Sequence, residues 1–125
     1  MGIKELLVGL MMSLISASAM AGSADVVDVK MTRTGPELYR FDVTVRHPDK
    51  GWDHYADKWE VVAPDGKVLG VRTLLHPHVN EQPFTRSLSG VRIPSEVQRV
   101  VIRAHDNVDG YGERTKTVSI PTATE

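Results

Sequence analysis

From Ala24 to Ile120 apolar and polar residues alternate with a period of two almost throughout, and no 3.6-residue repeat lasts long enough for a helix. Seven runs carry the alternation, at about residues 24–32, 37–47, 54–63, 67–76, 83–91, 97–105 and 113–120. In the second run Tyr39, Phe41, Val43 and Val45 share one face, and Arg40, Asp42, Thr44 and Arg46 share the other. Trp59 and Val61 pair in the third run; the fourth offers Leu69, Val71, Thr73 and Leu75. Val100, Ile102 and Ala104 line the sixth, and Val118 and Ile120 the last. The pattern predicts a core containing Tyr39, Phe41, Trp59, Leu75, Val100, Ile102 and Val118.

Chain breakers fall between the runs. Thr34-Gly35-Pro36 divides the first pair, Pro64-Asp65-Gly66 supplies a turn between the third and fourth, and Ile93-Pro94-Ser95-Glu96 joins the fifth to the sixth. About seven short strands, one-sided hydrophobicity and frequent turns predict an all-β chain, a single antiparallel β-sandwich of the immunoglobulin or fibronectin III kind. Trp59 takes its central core position without an accompanying disulfide, because the chain has no cysteine.

The first twenty-one residues follow other rules. Lys4 precedes an apolar run from Leu6 to Ile15, and Ala19-Met20-Ala21 closes it with small side chains. That order is the pattern of a secretory signal peptide, and the apolar run is too short to span about 30 Å of hydrocarbon. The expected organisation is a signal peptide over 1–21 and a β-sandwich domain over 22–125, periplasmic or secreted, with no membrane span in the mature chain.

Composition narrows the chemistry. Fifteen Lys and Arg against sixteen Asp and Glu give a net charge of −1, which lacks the basic footprint of nucleic-acid binding. The absence of cysteine removes thiolate zinc sites and Fe–S clusters, no glycine-rich loop suggests a nucleotide, and nothing points to haem. Catalysis by Ser-His-Asp or Cys-His finds no arrangement here, so an enzyme is not the expectation. Arg86, Arg99 and Arg103 read as solvated strand positions.

Five histidines remain after signal removal: His47, His54, His76, His78 and His105. With alternating strand directions, the loops after the second, fourth and sixth runs lie at one end of the sandwich, and all five fall there. Longer loops at that end would gather polar residues in the same way. Histidine is also the commonest metal-ligand side chain, so the clustering marks a candidate site. In His76-Pro77-His78 the proline favours extended backbone, placing two imidazoles at i and i+2 on one side. His54 and His105 are the expected third and fourth ligands, with His47, Asp53 and Asp106 as further candidates beside them. Nitrogen and carboxylate donors without thiolate or a nearby thioether suit Cu(II) or Zn(II). A four-histidine iron site on such a fold resembles superoxide reductase, but that family adds an axial cysteine, which this chain lacks.

Trp52, Tyr55 and Tyr111 occupy the same loops and define an alternative, a non-catalytic module gripping a protein or glycan. Asp106 to Glu113 offers oxygen donors around Gly110, but its composition is equally that of a hairpin turn. The segments Gly51-Trp52-Asp53-His54-Tyr55-Ala56-Asp57, Leu75-His76-Pro77-His78-Val79, Gln82-Pro83-Phe84-Thr85 and Ala104-His105-Asp106 resemble small periplasmic proteins of proteobacteria. That resemblance covers about half the chain; it implies an envelope location and no activity.

Overall fold

A computed structural model describes residues 23–121. The expected signal peptide therefore lies outside the described residues. Among the described residues eight strands form: β1 (Asp25–Gly35), β2 (Leu38–Arg46), β3 (Ala56–Val62), β4 (Val68–Thr73), β5 (Phe84–Arg92), β6 (Arg99–Asp106), β7 (Gly110–Tyr111) and β8 (Lys116–Ser119). They make two antiparallel sheets, β1-β2-β5 and β4-β3-β6-β7, with β8 also paired to β6. The chain is thus the expected β-sandwich. No helix among the described residues is long and apolar enough to cross a membrane.

The turns use the residues that require them. Gly66 takes a φ of 92°, which glycine tolerates without a Cβ penalty, and its N–H donates to the Ala63 carbonyl. Asp65 accepts from the Lys67 N–H at 2.9 Å, the usual role of Asp in a turn. Gly110, at a φ of 82°, turns the chain back along β6.

The core follows the period of two. Tyr39, Phe41, Val43 and Val45 from one sheet meet Trp59, Val61, Val100, Ile102 and Ala104 from the other, all buried. Val118 is half-buried against them. Leu75 departs from expectation: it is 77 % exposed, and Leu74 is the buried residue. The register of β4 shifts between its partners Val61 and Val62, leaving Leu69 as an extra residue, so from Gly70 onward the even-numbered positions face inward; Leu74 keeps that phase, its N–H on the Asp57 carbonyl at 2.9 Å. Val71 also faces out, 44 % exposed, opposite Glu60.

The two ends of the sandwich differ. One end, where β2, β4 and β6 finish, carries the histidine loops. At the other, a cleft of about 140 Å³ opens between the sheets, lined by Tyr39, Ile93, Pro94, Val97 and Ile120 among others.

Candidate metal centre

The inward phase of β2 does not stop with its apolar residues. After Phe41, Val43 and Val45 it continues through His47 and Asp49, which are also buried. β6 behaves alike: Val100, Ile102 and Ala104 are followed inward by Asp106. The sandwich core therefore ends in polar groups contributed by both sheets. Between β2 and β3 the loop closes on itself, with the Lys50 N–H on the His54 carbonyl (2.9 Å) and the His54 N–H on the Gly51 carbonyl (3.2 Å). Gly51 permits this with a φ of 115°. His54 returns beside His47, ring centroids 4.9 Å apart and edge to face.

His47 sits between two carboxylates. Its Nδ1–H donates to Asp49 Oδ1 at 2.5 Å, and its Nε2 lies 3.1 Å from Asp106 Oδ2. All three side chains are fully buried. An ionised carboxylate only accepts, so a ring that donates from Nδ1 alone leaves a gap between Nε2 and Asp106, which a proton or a cation would fill. His54 Nε2 extends the cluster, 3.5 Å from Asp106 Oδ1 and 3.1 Å from Asp109 Oδ2. Asp106 Oδ1 also accepts the backbone N–H of Val108 (2.8 Å) and Asp109 (2.5 Å), fixing the turn that presents Asp109.

His47, His54 and Asp106 can hold a metal ion, since one ligand atom of each lies within 4.8 Å of the others. Four-coordinate zinc, with bonds of about 2 Å, sets its ligand atoms about 3.3 Å apart. His47 Nε2 and His54 Nε2 approach different oxygens of Asp106, at 3.1 and 3.5 Å, and the ligand atoms of the three residues lie within 4.8 Å of one another, a span that an ion would draw in. Asp49 orients His47 from behind, as a carboxylate commonly does for a ligating imidazole. His54 and Asp109 are partly exposed and give the cluster its route to solvent.

The remaining candidates lie elsewhere. His78 is buried beside the cluster; its N–H donates to Asp49 Oδ2 at 2.7 Å, and its ring stacks on Phe84. Burial lowers its pKa, with help from Arg86 and His76. His76 is exposed, its ring 4.6 Å from that of His78. His105 faces away from Ala104 and Asp106, on the outer surface of its sheet, where Nδ1 meets Asp57 Oδ1 at 2.6 Å. The side chain of Asp53 is exposed, and its carbonyl accepts from Asn107. Trp52 is 64 % exposed and meets Tyr55 edge to face at 5.6 Å. Tyr111 is separate from them in its contacts: it donates to Glu60 at 3.0 Å and lies under the Arg103 guanidinium.

Glu60 is buried on this outer face among Arg103, Lys58 and Tyr111. Burial alone would push its carboxyl up, but those three donors outweigh it and hold the group below its ordinary range. In turn the Glu60 carboxylate, with Tyr111, raises the Lys58 ammonium. Asp49 was not among the candidates read from the sequence, and Asp109 figured only as one oxygen donor of the Asp106–Glu113 loop. The phase of β2 is the signal that reaches Asp49, while nothing in the sequence separates Asp109 from any loop carboxylate.

No protein-family model matches the chain. Over 95 residues it is 43 % identical to a protein of the halophilic archaeon Halomicrobium mukohataei described as "Putative lipoprotein". The match covers 76 % of this chain and 46 % of that protein, so the chain spans about half the length of this curated relative. Among solved structures, a hypothetical protein from Pyrococcus horikoshii is similar over 90 % of this chain and 99 % of its own, with 13 % identity and a TM-score of 0.51. That similarity concerns the fold. A superoxide reductase in the oxidised state aligns over 84 % of this chain and 94 % of its own, at 15 % identity and a TM-score of 0.49.

Proposed function

We propose that this protein binds one divalent transition-metal ion, Zn(II) or Cu(II), through His47, His54 and Asp106, and holds it without turning over a substrate. The observation that carries the reading is the His47 ring, held between the buried carboxylates of Asp49 and Asp106. Two buried carboxylates at one imidazole are costly without compensating positive charge, and a cation at Nε2 supplies it. Nitrogen and oxygen donors suit both metals, and copper binds the tighter by the Irving–Williams order. The ion reaches the site past His54 and Asp109.

The signal pattern over residues 1–21 supports a mature chain of 22–125 outside the cytoplasm, in the periplasm or secreted. The name of the haloarchaeal relative is in keeping with an envelope location. A second reading is favoured by one observation, the exposed Trp52 edge-on to Tyr55, which would suit stacking on a protein or glycan at the same loop end.

Thermal unfolding with increasing Zn(II) or Cu(II) tests the metal reading. At a free ion concentration of 100 times Kd the fold should gain about 2.7 kcal/mol. His54→Ala, at a partly exposed position, should lose the part of the gain contributed by this cluster while leaving a folded protein. An unchanged Tm in wild type, or equal gains in wild type and His54→Ala, would hand the case to the Trp52 surface.

A further inference from the structure

His78 is the least satisfied polar side chain at the loop end. It is 5 % exposed, and neither Nδ1 nor Nε2 has a hydrogen-bond partner. A buried imidazole with both nitrogens idle is destabilising, because neither nitrogen recovers the hydrogen bond it made to water. The backbone around it is firmly held. Its N–H is on Asp49 at 2.7 Å, and its carbonyl accepts from Gln82 Nε2 at 2.9 Å. The side-chain oxygen of Gln82 in turn accepts the His47 N–H at 2.9 Å. One face of the ring lies parallel to Phe84, centroids 4.0 Å apart and planes within 9°. The ring therefore cannot swing away to satisfy itself.

His76 is its neighbour, with centroids 4.6 Å apart and planes tilted by 36°. The Pro77 carbonyl lies 3.0 Å from His76 Nδ1. A carbonyl only accepts, so Nδ1 carries the hydrogen, and in the neutral ring the lone pair is at Nε2. Pro77 fixes the backbone between the two histidines, which limits the entropy lost when both rings engage one ligand. His76 is exposed and free to adjust, whereas His78 is fixed.

We propose that His76 and His78 form a second metal-ion site, separate from the buried cluster, that takes one borderline divalent cation such as Cu(II) or Zn(II) at the rim of the loop end. The fixed His78 ring is the anchor, and His76 closes onto the ion with Nε2. Glu81, held at 3.0 Å by Arg86, is the nearest carboxylate along the same loop and offsets part of the cation's charge. The His47 cluster offers mixed oxygen and nitrogen donors, whereas this pair offers imidazole nitrogen, from a buried His78 and an exposed His76. The two sites differ in donor set and in access.

Calorimetric titration of the full chain with Zn(II), repeated with Cu(II), tests the proposal in wild type, His76→Ala, His78→Phe and His54→Ala. Phenylalanine preserves the stack on Phe84 while removing both nitrogens. Wild type should bind two ions. His76→Ala and His78→Phe should each lose one of them and keep the other, and His54→Ala should lose the other and keep the rim ion. Imidazole NMR signals of His76 and His78 should shift on Zn(II) addition even in His54→Ala. Unchanged stoichiometry and affinity in His76→Ala and His78→Phe would overturn the second site. So would loss of all binding in a folded His54→Ala, which would make the histidines a single site. Failure of the buried cluster alone would appear as a wild-type protein binding one ion that only the rim variants abolish.

Discussion

Replacing Asp49 by alanine should destabilise the protein by about 3–5 kcal/mol, a large share of the roughly 5–15 kcal/mol that holds a domain of this size. The figure comes from what the carboxylate receives. It accepts the His47 Nδ1–H at 2.5 Å, the Ala56 N–H at 3.0 Å and the His78 N–H at 2.7 Å, from three points of the chain. Each donor left unpaired in a buried position costs about 1–3 kcal/mol, and water entering the vacated space recovers part of that. Asp49→Asn should be intermediate, because its one carbonyl oxygen cannot serve all three donors and its amide adds another. Urea unfolding followed by Trp59 fluorescence measures both variants. Metal affinity supplies a second reading: loss of the carboxylate behind His47 should weaken binding about 10–100-fold. A midpoint for Asp49→Ala giving less than about 1 kcal/mol of destabilisation would refute the view that this residue ties the loops together.

On the outer face, Glu60→Gln removes a carboxylate whose pKa is held below its ordinary value of 4.5. A depressed carboxylate adds stability above its unfolded pKa and loses it as the pH falls through the folded one, so wild type should surpass the variant at neutral pH and converge with it in acid. Parallel plots of Tm against pH for the two proteins would contradict this. At Gly112 a Cβ would stand 1.8 Å from the Ala24 carbonyl oxygen and 2.8 Å from its carbon, both backbone atoms that cannot step aside. Gly112→Ala should therefore displace the chain leading into β1 and cost about 3 kcal/mol in urea unfolding, at the upper end of overpacking effects; an unchanged midpoint would disprove that close approach.

Much of this architecture is legible in the order of residues, for a physical reason. β2 and β6 are central strands with one face in the core, so burial imposes a strict alternation that the sequence must obey. β4 is an edge strand, and its phase is weakly enforced. Val71 faces solvent and Gly70 faces inward, where a Cβ would sit 3.0 Å from Leu88 and 3.2 Å from Val91. That is why Leu75 reads as core and Leu74 is. The candidate metal centre divides in the same way. Grouping histidines by loop end brings His47 and His54 together, but it ignores that β6 alternates. His105 follows Ala104 and must face outward, whereas Asp106 must face inward. Asp109 owes its position to a turn whose shape depends on Asp106 accepting two backbone N–H groups, a tertiary fact that spacing alone does not encode.

His47 belongs to one layer of the sandwich and Asp106 to the other. A cation between them would act mechanically as a rivet through both layers. At the opposite end the sheets part around the cleft beside Ile93 and Pro94, and the chain itself crosses there from β5 to β6, with the Ser95 N–H on Glu37 at 2.9 Å. Force drawing the layers apart would meet the crossover segment at one end and, with an ion bound, metal–ligand bonds at the other. An occupied site would then clasp the histidine end of the seam by coordination as well as by its loops.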